Sequence, residues 1–259
     1  MQLLRGQQLT IDAGSGDAAL SNPLIMKLQR GAALTAADCA LLEAVTGARR
    51  TTVEAGETLI SEGEKPASMH LVVDGIAARH KDLPGGRRSI MAFFVPGDLC
   101  DLNVAILGEM DHTISTLTPC TIVRIADKTI EEIKAQSPRI TKALHWSTLV
   151  DEAILREWLV NIGHRPADQQ IAHLLCELQL RLATVGRATQ TEFELPLTQQ
   201  VLGEALGMST VHVNRTLQSL RSSNLIVYAN RTVVLPDLGR LQRFAEFDPS
   251  YLHLLPERS

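Results

Sequence analysis

The stretch that most constrains this chain is residues 197–221, where two helix-capping side chains flank a glycine. Thr198 is placed to cap a first short helix and Ser209 a second, because Ser and Thr accept hydrogen bonds from the free N–H groups at helix starts. Gly207 lies between them, where a short glycine-containing turn joins the two helices of a helix-turn-helix unit. Gly203 is small where the two helices must approach closely. This pattern predicts a helix-turn-helix in the C-terminal half.

The first turns of the second helix carry side chains suited to the edges of DNA bases. Arg215 can pair with guanine through two hydrogen bonds, Asn214 can reach adenine or a phosphate, and Val211 can contact a thymine methyl group. Two short apolar runs then flank residues 228–231, which predicts a hairpin wing whose Arg231 contacts phosphate. The candidate DNA-binding residues are Thr198, Ser209, Thr210, Val211, His212, Asn214, Arg215 and Arg231. The alternative is a structural helix pair whose polar face is simply solvated.

Residues 51–125 show a different sequence pattern, in which short runs of strand-favouring residues are separated by glycines. We predict strands at residues 58–61, 70–73, 77–80, 89–94, 114–116 and 121–125. Strands repeated at intervals of about 10 residues, with turn residues between them, favour an antiparallel barrel or sandwich. Pro84, Gly85 and Gly86 predict a hairpin tip. Because 259 residues correspond to about two domains, this region and the helix-turn-helix are expected to belong to different domains.

A long helix is predicted from Arg139 to about Ile162, directly after Ser137 and Pro138, because apolar side chains recur there every three or four residues. At 1.5 Å per residue this helix exceeds about 30 Å, so beside a small barrel it has apolar surface left over to pair with a copy of itself. We assign that dimer contact to Leu144, Val150, Leu155, Trp158 and Ile162.

Shorter helices are predicted before the strands and after the long helix. Residues 24–45 favour short helices, with Thr35 capping the second of them and Asp38 at its third position. Residues 163–166 interrupt the helical pattern, and Pro166 is expected at the first position of a further helix that ends near Thr184. This break is the predicted domain hinge.

Composition and charge exclude several classes of protein. Aromatic residues are only 3% of the chain, which argues against wide stacking platforms for single-stranded nucleic acid. The net charge of -4 lacks the basic excess of proteins that coat nucleic acid nonspecifically. The N-terminus lacks the apolar run of a secretory signal, and no stretch approaches the roughly 20 apolar residues of a membrane span. We therefore expect a cytoplasmic, soluble protein that binds no membrane.

The four cysteines, Cys39, Cys100, Cys120 and Cys176, are far apart and lack zinc-ligand spacing. We expect buried reduced thiols and no metal site, with a redox switch at Cys176 as a minor hypothesis. The chain also lacks the phosphate-binding loop, the nucleophile elbow and the zinc-protease motif, so we do not expect an enzyme.

Five short motifs follow one another in the N-terminal half: Gly56-Glu57, Glu62-Gly63-Glu64, Gly75, Gly86-Arg87-Arg88 and Pro96-Gly97-Asp98. Together with residues 197–226 they make the chain resemble the Crp/Fnr superfamily of bacterial transcription regulators over about residues 24–250. The ending, residues 246–253, is similar to that of a branch common in alphaproteobacteria. The resemblance implies an α+β fold, with an N-terminal antiparallel β-roll of the cyclic-nucleotide-binding type, a long dimerisation helix and a C-terminal winged helix-turn-helix.

The resemblance also implies a domain division and partners. The expected segments are a flexible arm at residues 1–22, a β-roll sensor at 23–137, the dimerisation helix at 138–163 and the DNA-binding domain at 164–259. It implies a homodimer on double-stranded DNA, a palindromic promoter site with half-sites one helical turn apart, and RNA polymerase as a partner. The implied half-site is TTGA-like or TGTGA-like. However, Val211 stands where the family has a base-reading Glu and cannot accept a hydrogen bond from cytosine.

An effector pocket is implied at Gly97, Asp98, Asp101, Leu102, His112 and Thr113. Members of the family that bind cyclic AMP have Gly-Glu and Arg-Ser where this chain has Asp101-Leu102 and His112-Thr113. Leu102 cannot accept a hydrogen bond from the ribose hydroxyl, and His112 lacks the guanidinium fork that holds the phosphate. The sequence therefore disfavours cyclic AMP.

The sequence also bears on two other groups through which such a protein could sense a signal, an iron–sulfur cluster and haem. An iron–sulfur cluster would need several cysteines near the N-terminus, where only Cys39 is close, so we do not expect one. Haem needs only one or two ligands, which His70, His80 or His112 could supply. We expect a regulator independent of cyclic AMP, controlled by another input that acts at the hinge near Gly163, or by its own abundance. The alternatives are a sensor whose DNA binding requires a cyclic nucleotide or haem, and a nucleotide-binding subunit without DNA function.

Overall fold

The computed structural model describes residues 22–47, 50–100, 102 and 108–254. The predicted arm, apart from Asn22, and Asp101 of the predicted effector pocket lie outside the described residues. Helices α1 (Pro23–Leu28) and α2 (Ala36–Thr46) come first. Eight strands follow: β1 (Arg50–Val53), β2 (Thr58–Ile60), β3 (Ser68–Asp74), β4 (Ala77–Leu83), β5 (Arg87–Phe94), β6 (Leu99–Cys100), β7 (Thr113–Thr116) and β8 (Cys120–Ala126). The later elements are α3 (Asp127–Gln136), α4 (Pro138–His164), α5 (Ala167–Thr184), β9 (Glu192–Glu194), α6 (Gln199–Leu206), α7 (Thr210–Ser222), β10 (Val227–Ala229), β11 (Thr232–Val234), α8 (Leu238–Phe244) and a 3-10 helix (Pro249–Leu252).

Strands β1 to β8 form two four-stranded antiparallel sheets, in the orders β1-β8-β3-β6 and β2-β7-β4-β5. Val72 and Ile122 of the first sheet share one core with Ile114 and Phe94 of the second. Because successive side chains of a strand point to opposite faces, Leu71 points away from this core and packs against helices α1 to α4. The arrangement confirms the predicted antiparallel β-roll.

The second sheet also carries the C-terminal half of the chain. Ala78, Ile90 and Phe93 belong to a core cluster that continues through α4 and α5 into the helix-turn-helix. Phe93 meets Trp158 of α4 edge to face, with ring centroids 5.5 Å apart. The β-roll and the C-terminal half are therefore joined by shared apolar packing.

All six predicted strands are present within three residues of their predicted bounds. Strands β1, β6 and β9 and helix α3 have no counterpart in the prediction. β1 is mostly exposed, and β6 and β9, with 2 and 3 residues, are too short for the alternation that marks a strand in a sequence. Helix α3 buries only Ile130 and Ile133, too few for a clear apolar stripe.

The capping box predicted for α2 is confirmed. The Asp38 backbone N–H donates to the Thr35 hydroxyl, and the Asp38 carboxylate accepts from the Thr35 backbone N–H. The same carboxylate accepts from Ser137 Oγ at 2.6 Å and Arg139 Nε at 2.7 Å. The Arg139, Ser137 and Thr35 donors lower the pKa of Asp38 well below its usual range. One carboxylate thus holds α2 to the start of α4.

The long helix α4, Pro138–His164, agrees with the predicted span, and Ser137 caps it by accepting from the Ile140 N–H. The next helix, α5, begins at Ala167. Pro166 is its N-cap residue and not its first helical residue, because its ψ of 158° is extended. The predicted position of Pro166 is corrected by one residue.

The predicted wing is a three-stranded sheet in the order β10-β11-β9. Asn230 and Arg231 have φ values of 51° and 64°, as in the two-residue turns that match the twist of a β-hairpin. The turn is therefore shorter than residues 228–231, and Tyr228 lies in strand β10.

Candidate nucleic-acid interface and domain junction

Helices α6 and α7 form a helix-turn-helix whose predicted caps are confirmed. Thr198 Oγ1 accepts from the Val201 N–H and Ser209 Oγ from the His212 N–H, each at 3.2 Å. Gly207 ends α6 with a φ of 67°, in the left-handed region that favours glycine. A Cβ atom on Gly203 would lie 2.4 Å from the Met208 carbonyl oxygen, so only glycine fits the close approach at the turn. The local sequence thus fixes the geometry of the helix pair.

Helix α7 has one buried and one exposed face. Val213, Leu217 and Leu220 are buried in the C-terminal core. The candidate residues Ser209, Thr210, Val211, His212 and Arg215 are exposed, and Val211 is 69% exposed although it is apolar. An exposed valine near the start of a capped helix, with Arg215 one turn further on, is suited to contact base edges in a major groove.

Asn214 is partly buried and links the two helices. Its Nδ2 donates to Gln199 Oε1 of α6 at 3.1 Å. Gln199 is therefore a residue of this site that sequence reasoning missed. Its place at the first position of α6 was a visible clue, but its partner lies 15 positions away in the sequence.

The wing is fastened to the helix-turn-helix. The Tyr228 hydroxyl donates to the Leu195 and Leu197 carbonyl oxygens at 2.9 and 3.0 Å, directly before the Thr198 cap. The Arg221 guanidinium of α7 lies 5.9 Å from the centre of the Tyr228 ring. Arg231 is exposed in the wing turn. These contacts hold the wing beside both helices.

A second polar region lies between the β-roll and α5. Four buried charged side chains, Lys27, Asp98, Glu177 and Arg181, form what we call the junction cluster. Asp98 pairs with Lys27 Nζ at 2.7 Å and Arg181 Nη2 at 2.8 Å, and Arg181 Nη1 pairs with Glu177 at 3.0 Å. Burial raises the pKa of Asp98, but the Lys27 and Arg181 charges outweigh it and lower the pKa overall. Asp98 is therefore a carboxylate held between two cations.

Two residues of the predicted effector pocket face this junction. A Cβ atom on Gly97 would lie 2.6 Å from the Pro23 carbonyl oxygen, so Gly97 allows α1 to approach the turn. Both oxygens of Asp98 are engaged, Oδ1 by Lys27 and Oδ2 by Arg181 and the Val95 N–H. The structure thus places Gly97 against α1, and Asp98 in contact with both α1 and α5.

The other described pocket residues have different neighbours. His112 Nε2 accepts from Arg79 Nε at 3.2 Å, and its Nδ1 lies against Asp111. Thr113 Oγ1 accepts from the Glu62 N–H. Leu102 packs against the apolar core shared by α1, α2 and α4. The effector pocket itself stays a prediction.

The buried histidines of the β-roll differ in their hydrogen bonding. His80 Nε2 lies 3.0 Å from Ser115 Oγ. His70 is 4% exposed, and neither of its ring nitrogens has a hydrogen-bond partner among the described residues. Burial lowers the pKa of His70 to about 4, so the imidazole is neutral near pH 7. A neutral buried imidazole with free nitrogens is the form that binds metals.

Two family models match the chain. A cyclic nucleotide-binding domain matches residues 50–137, and a Crp-like helix-turn-helix domain matches residues 169–244. The two matches occur in this order on the β-roll and on the helix-turn-helix just described. The chain belongs to the Crp/Fnr superfamily.

Curated relatives and a solved structure agree with this assignment. The nitrogen fixation regulation protein FixK of Bradyrhizobium diazoefficiens is 26% identical over 76% of this chain and 82% of its own length. The transcriptional activator protein FnrL of Cereibacter sphaeroides is 29% identical over 73% and 77%. The structure of FixK2 from Bradyrhizobium japonicum has a TM-score of 0.67 at 22% identity, covering 75% of this chain and 96% of that one. The expected α+β fold of the Crp/Fnr superfamily is confirmed.

The structure corrects three of the five dimer contacts predicted for α4 of this Crp/Fnr protein. Leu144, Val150 and Trp158 are 2%, 4% and 4% exposed and pack inside the protomer. Leu155 and Ile162 are 41% and 42% exposed. The exposed large apolar residues of α4 are Leu149, Leu155, Leu159, Val160 and Ile162. Periodicity identified the apolar residues of α4, but only the fold separates those that face the β-roll from those that face solvent.

Three further observations bear on the sequence hypotheses. Cys176 is fully buried, and burial raises the pKa of its thiol, which disfavours the reactive thiolate and argues against a redox switch there. In the described part of the chain, no cluster of three or more His, Cys, Asp or Glu side chains is arranged to bind a metal ion. None of the described helices combines the length and apolar character needed to cross a membrane.

Proposed function

We propose that this protein is a homodimeric, sequence-specific DNA-binding transcription regulator that reads a palindromic site through α7. The observation that carries the proposal is the exposed face of α7, where Val211 and Arg215 project from a helix whose start is capped by Ser209. Arg215 offers a bidentate donor for guanine, and Val211 offers an apolar contact for a thymine methyl group. The related proteins FixK and FnrL are named as regulators, which supports the same function here.

A second copy of the chain is the proposed partner of α4. Leu149, Leu155, Leu159, Val160 and Ile162 form an apolar set left exposed on a helix of 27 residues. Pairing two such helices removes this surface from water and places two recognition helices in one molecule. We propose RNA polymerase as a further partner and the cytoplasm as the location, from membership of the superfamily.

We propose further that DNA binding does not depend on cyclic AMP. The residues present do not fit that ligand. Leu102 packs on apolar residues and has no acceptor for a ribose hydroxyl, and the His112 ring lies between Arg79 and Asp111. A phosphate needs a charged fork of donors, which His112 cannot supply.

The decisive experiment is the selection of binding sites from a random duplex library, with and without cyclic AMP. We expect an enriched palindrome without ligand, from a protein whose mass in light scattering is twice that of the 28.3 kDa chain. Arg215→Ala should abolish enrichment and keep the dimer mass, whereas Arg30→Ala, an exposed arginine of the N-terminal half, should bind as wild type. Enrichment only with cyclic AMP, or unchanged operator affinity of Arg215→Ala, would contradict the proposal.

One observation favours the alternative, a sensor that needs a bound effector. His70 is buried with both ring nitrogens unpartnered among the described residues, so a ring nitrogen is available to bind a haem iron. If the alternative holds, the purified protein shows a haem absorption band that His70→Ala removes, and DNA selection succeeds only with the loaded protein. A colourless protein that selects a palindrome rejects haem dependence.

A further inference from the structure

The junction cluster brings together residues from three distant parts of the chain. Lys27 lies in α1, Asp98 in the turn between β5 and β6, and Glu177 and Arg181 in α5. Their side chains are 12%, 4%, 0% and 10% exposed. Charged groups so deeply buried are rare unless they are paired, and here each one is paired.

Arg181 is the centre of the network. Its Nη2 donates to Asp98 Oδ2 and to the Phe93 carbonyl oxygen, both at 2.8 Å. Its Nη1 donates to Glu177 Oε1 at 3.0 Å. One planar guanidinium therefore connects strand β5 and its following turn to the helix that leads into the DNA-binding domain.

Glu177 extends the network to two further elements. Trp158 Nε1 of α4 donates to Glu177 Oε2 at 3.0 Å, and the Tyr251 hydroxyl of the 3-10 helix donates to the same oxygen at 2.9 Å. Burial raises the pKa of Glu177, against the effect of Arg181 and these two donors. The long helix, the C-terminal segment and the β-roll all meet α5 at this point.

Arg181 lies far along α5 from residues 163–166, so its contacts restrain the direction of this helix closely. Helix α5 joins α4 through residues 163–166, where Gln170 Nε2 donates to the Ile162 and Arg165 carbonyl oxygens. Arg181 lies 14 residues after Ala167, which is about 21 Å along the helix axis. A restraint that far from the hinge fixes an angle closely, since a 2 Å displacement at that distance corresponds to a rotation of only about 5°.

Stability alone does not explain such a network. The cost of removing charges from water offsets much of their attraction, so a buried ion pair stabilises a fold weakly compared with apolar packing. Directional hydrogen bonds from one planar guanidinium to several groups instead select one arrangement of those groups. In a dimer, the arrangement selected here would set the distance between the two recognition helices.

We propose that Arg181, held by Asp98, is a positioning residue that sets the orientation of the DNA-binding domain and thereby the half-site spacing that the dimer accepts. The inference rests on the proposed function. Every ion pair of the cluster joins residues of one protomer, so the proposed restraint acts within the protomer.

The test measures binding to duplexes in which the two selected half-sites are moved apart or together by one or two base pairs. Wild type should prefer one spacing by about tenfold or more, because half-sites must match the geometry of the dimer. Arg181→Lys keeps the charge but cannot contact Asp98, Phe93 and Glu177 together, so its spacing preference should fall below about threefold. Its affinity for a single half-site should be unchanged.

Arg187→Lys is the matched control. Arg187 also pairs across the junction, with Asp74 at 3.1 Å, but both side chains are exposed, 40% and 59%. Exposed pairs contribute little, so this variant should keep the wild-type spacing preference. If Arg181→Lys does not fold, Asp98→Asn replaces it, since it leaves Arg181 bonded to Glu177 and Phe93. A wild-type spacing preference in the folded variant overturns the proposal, and so does loss of half-site binding.

A measurement without DNA separates this proposal from the proposed function. A spin label placed by Val211→Cys, in a Cys39→Ser background, reports the distance between the two recognition helices of a dimer. The distribution should be narrow with Arg181 and clearly broader or displaced with Arg181→Lys, and Arg187→Lys should resemble wild type. An identical distribution in all three overturns the proposal. A missing intermolecular distance, or a wild type that selects no duplex, contradicts the proposed function instead.

Discussion

The recognition helix α7 and the junction cluster are built in opposite ways. Helix α7 takes its cap, its turn and its exposed face from residues 198–215, a short continuous stretch. The junction cluster takes its four charges from positions 27, 98, 177 and 181, and places them in the interior. The surface proposed to contact DNA is thus a local product of the sequence, whereas the contacts proposed to set its orientation join distant segments.

This difference predicts how each region responds to substitution. Changing a side chain on the exposed face of α7 removes a group that water already surrounds, so stability should hardly change. Removing a charge from the junction leaves its buried partner unpaired, which is one of the few single changes that destabilise a protein strongly.

The largest expected effect is that of Glu177→Ala. Arg181, Trp158 and Tyr251 would all lose an acceptor in the interior, so the free energy of unfolding should fall by about 3–5 kcal/mol. Chemical denaturation followed by circular dichroism measures this. Thr210→Ala, on the exposed start of α7, is the control and should stay within about 0.5 kcal/mol. A loss below about 1 kcal/mol for Glu177→Ala would remove the contrast between the two regions.

An intermediate effect is expected from acid. His173 lies between Phe247 and Tyr251, and its Nε2 is 3.2 Å from Glu157 Oε1 without hydrogen-bonding geometry. Burial and the Arg165 charge lower the pKa of His173 to about 3. Between that value and the pKa of about 6.5 in the unfolded chain, only the unfolded state binds the proton, so stability falls as pH falls.

The expected slope for His173 is at most about 1.4 kcal/mol per pH unit below pH 6.5. Denaturation curves between pH 7.5 and pH 5 should show this decline, and His173→Leu should show a shallower one because the titrating group is gone. His212→Asn, on the exposed face of α7, serves as the control and should leave the slope unchanged. Equal slopes of stability against pH for wild type and His173→Leu would contradict the prediction.

The smallest effect on stability is expected from Val211→Glu, within about 0.5 kcal/mol, because the side chain is 69% exposed. Its effect on DNA should be large. Glu accepts a hydrogen bond from cytosine and cannot pack on a thymine methyl group, so the preferred base pair at one position of each half-site should change, by about 1–3 kcal/mol. Site selection with the variant measures the change, and Val211→Thr, which keeps a methyl group, should retain the wild-type preference. An unaltered site for Val211→Glu would show that position 211 does not face a base.

Much of the fold could be predicted because its determinants are local. The Thr35, Thr198 and Ser209 caps each depend on residues within three positions, and the strands of the β-roll follow from alternation between glycines. Such patterns act over a few residues, and the sequence displays them directly. The helix-turn-helix was predictable for the same reason.

The site was only partly predictable because its remaining contacts are not local. Gln199 is assigned by its bond to Asn214, and Trp158 is removed from the predicted dimer contact by its packing against Phe93 inside the protomer. Asp98 carries the motif of an effector pocket, yet its carboxylate bonds to α1 and α5. Nothing near these residues in the sequence indicates their partners.

The sequence by itself determined most of the segments that become strands and helices, where α6 and α7 begin and turn, and which side chains α7 exposes. The tertiary structure alone decided which apolar residues of α4 are left exposed, and that Lys27, Asp98, Glu177 and Arg181 share one buried network. The physical reason is the separation along the chain of the residues that each interaction joins. Capping and periodicity act between neighbours in the chain, whereas burial and ion pairing act between neighbours in space, which exist only once the chain has folded.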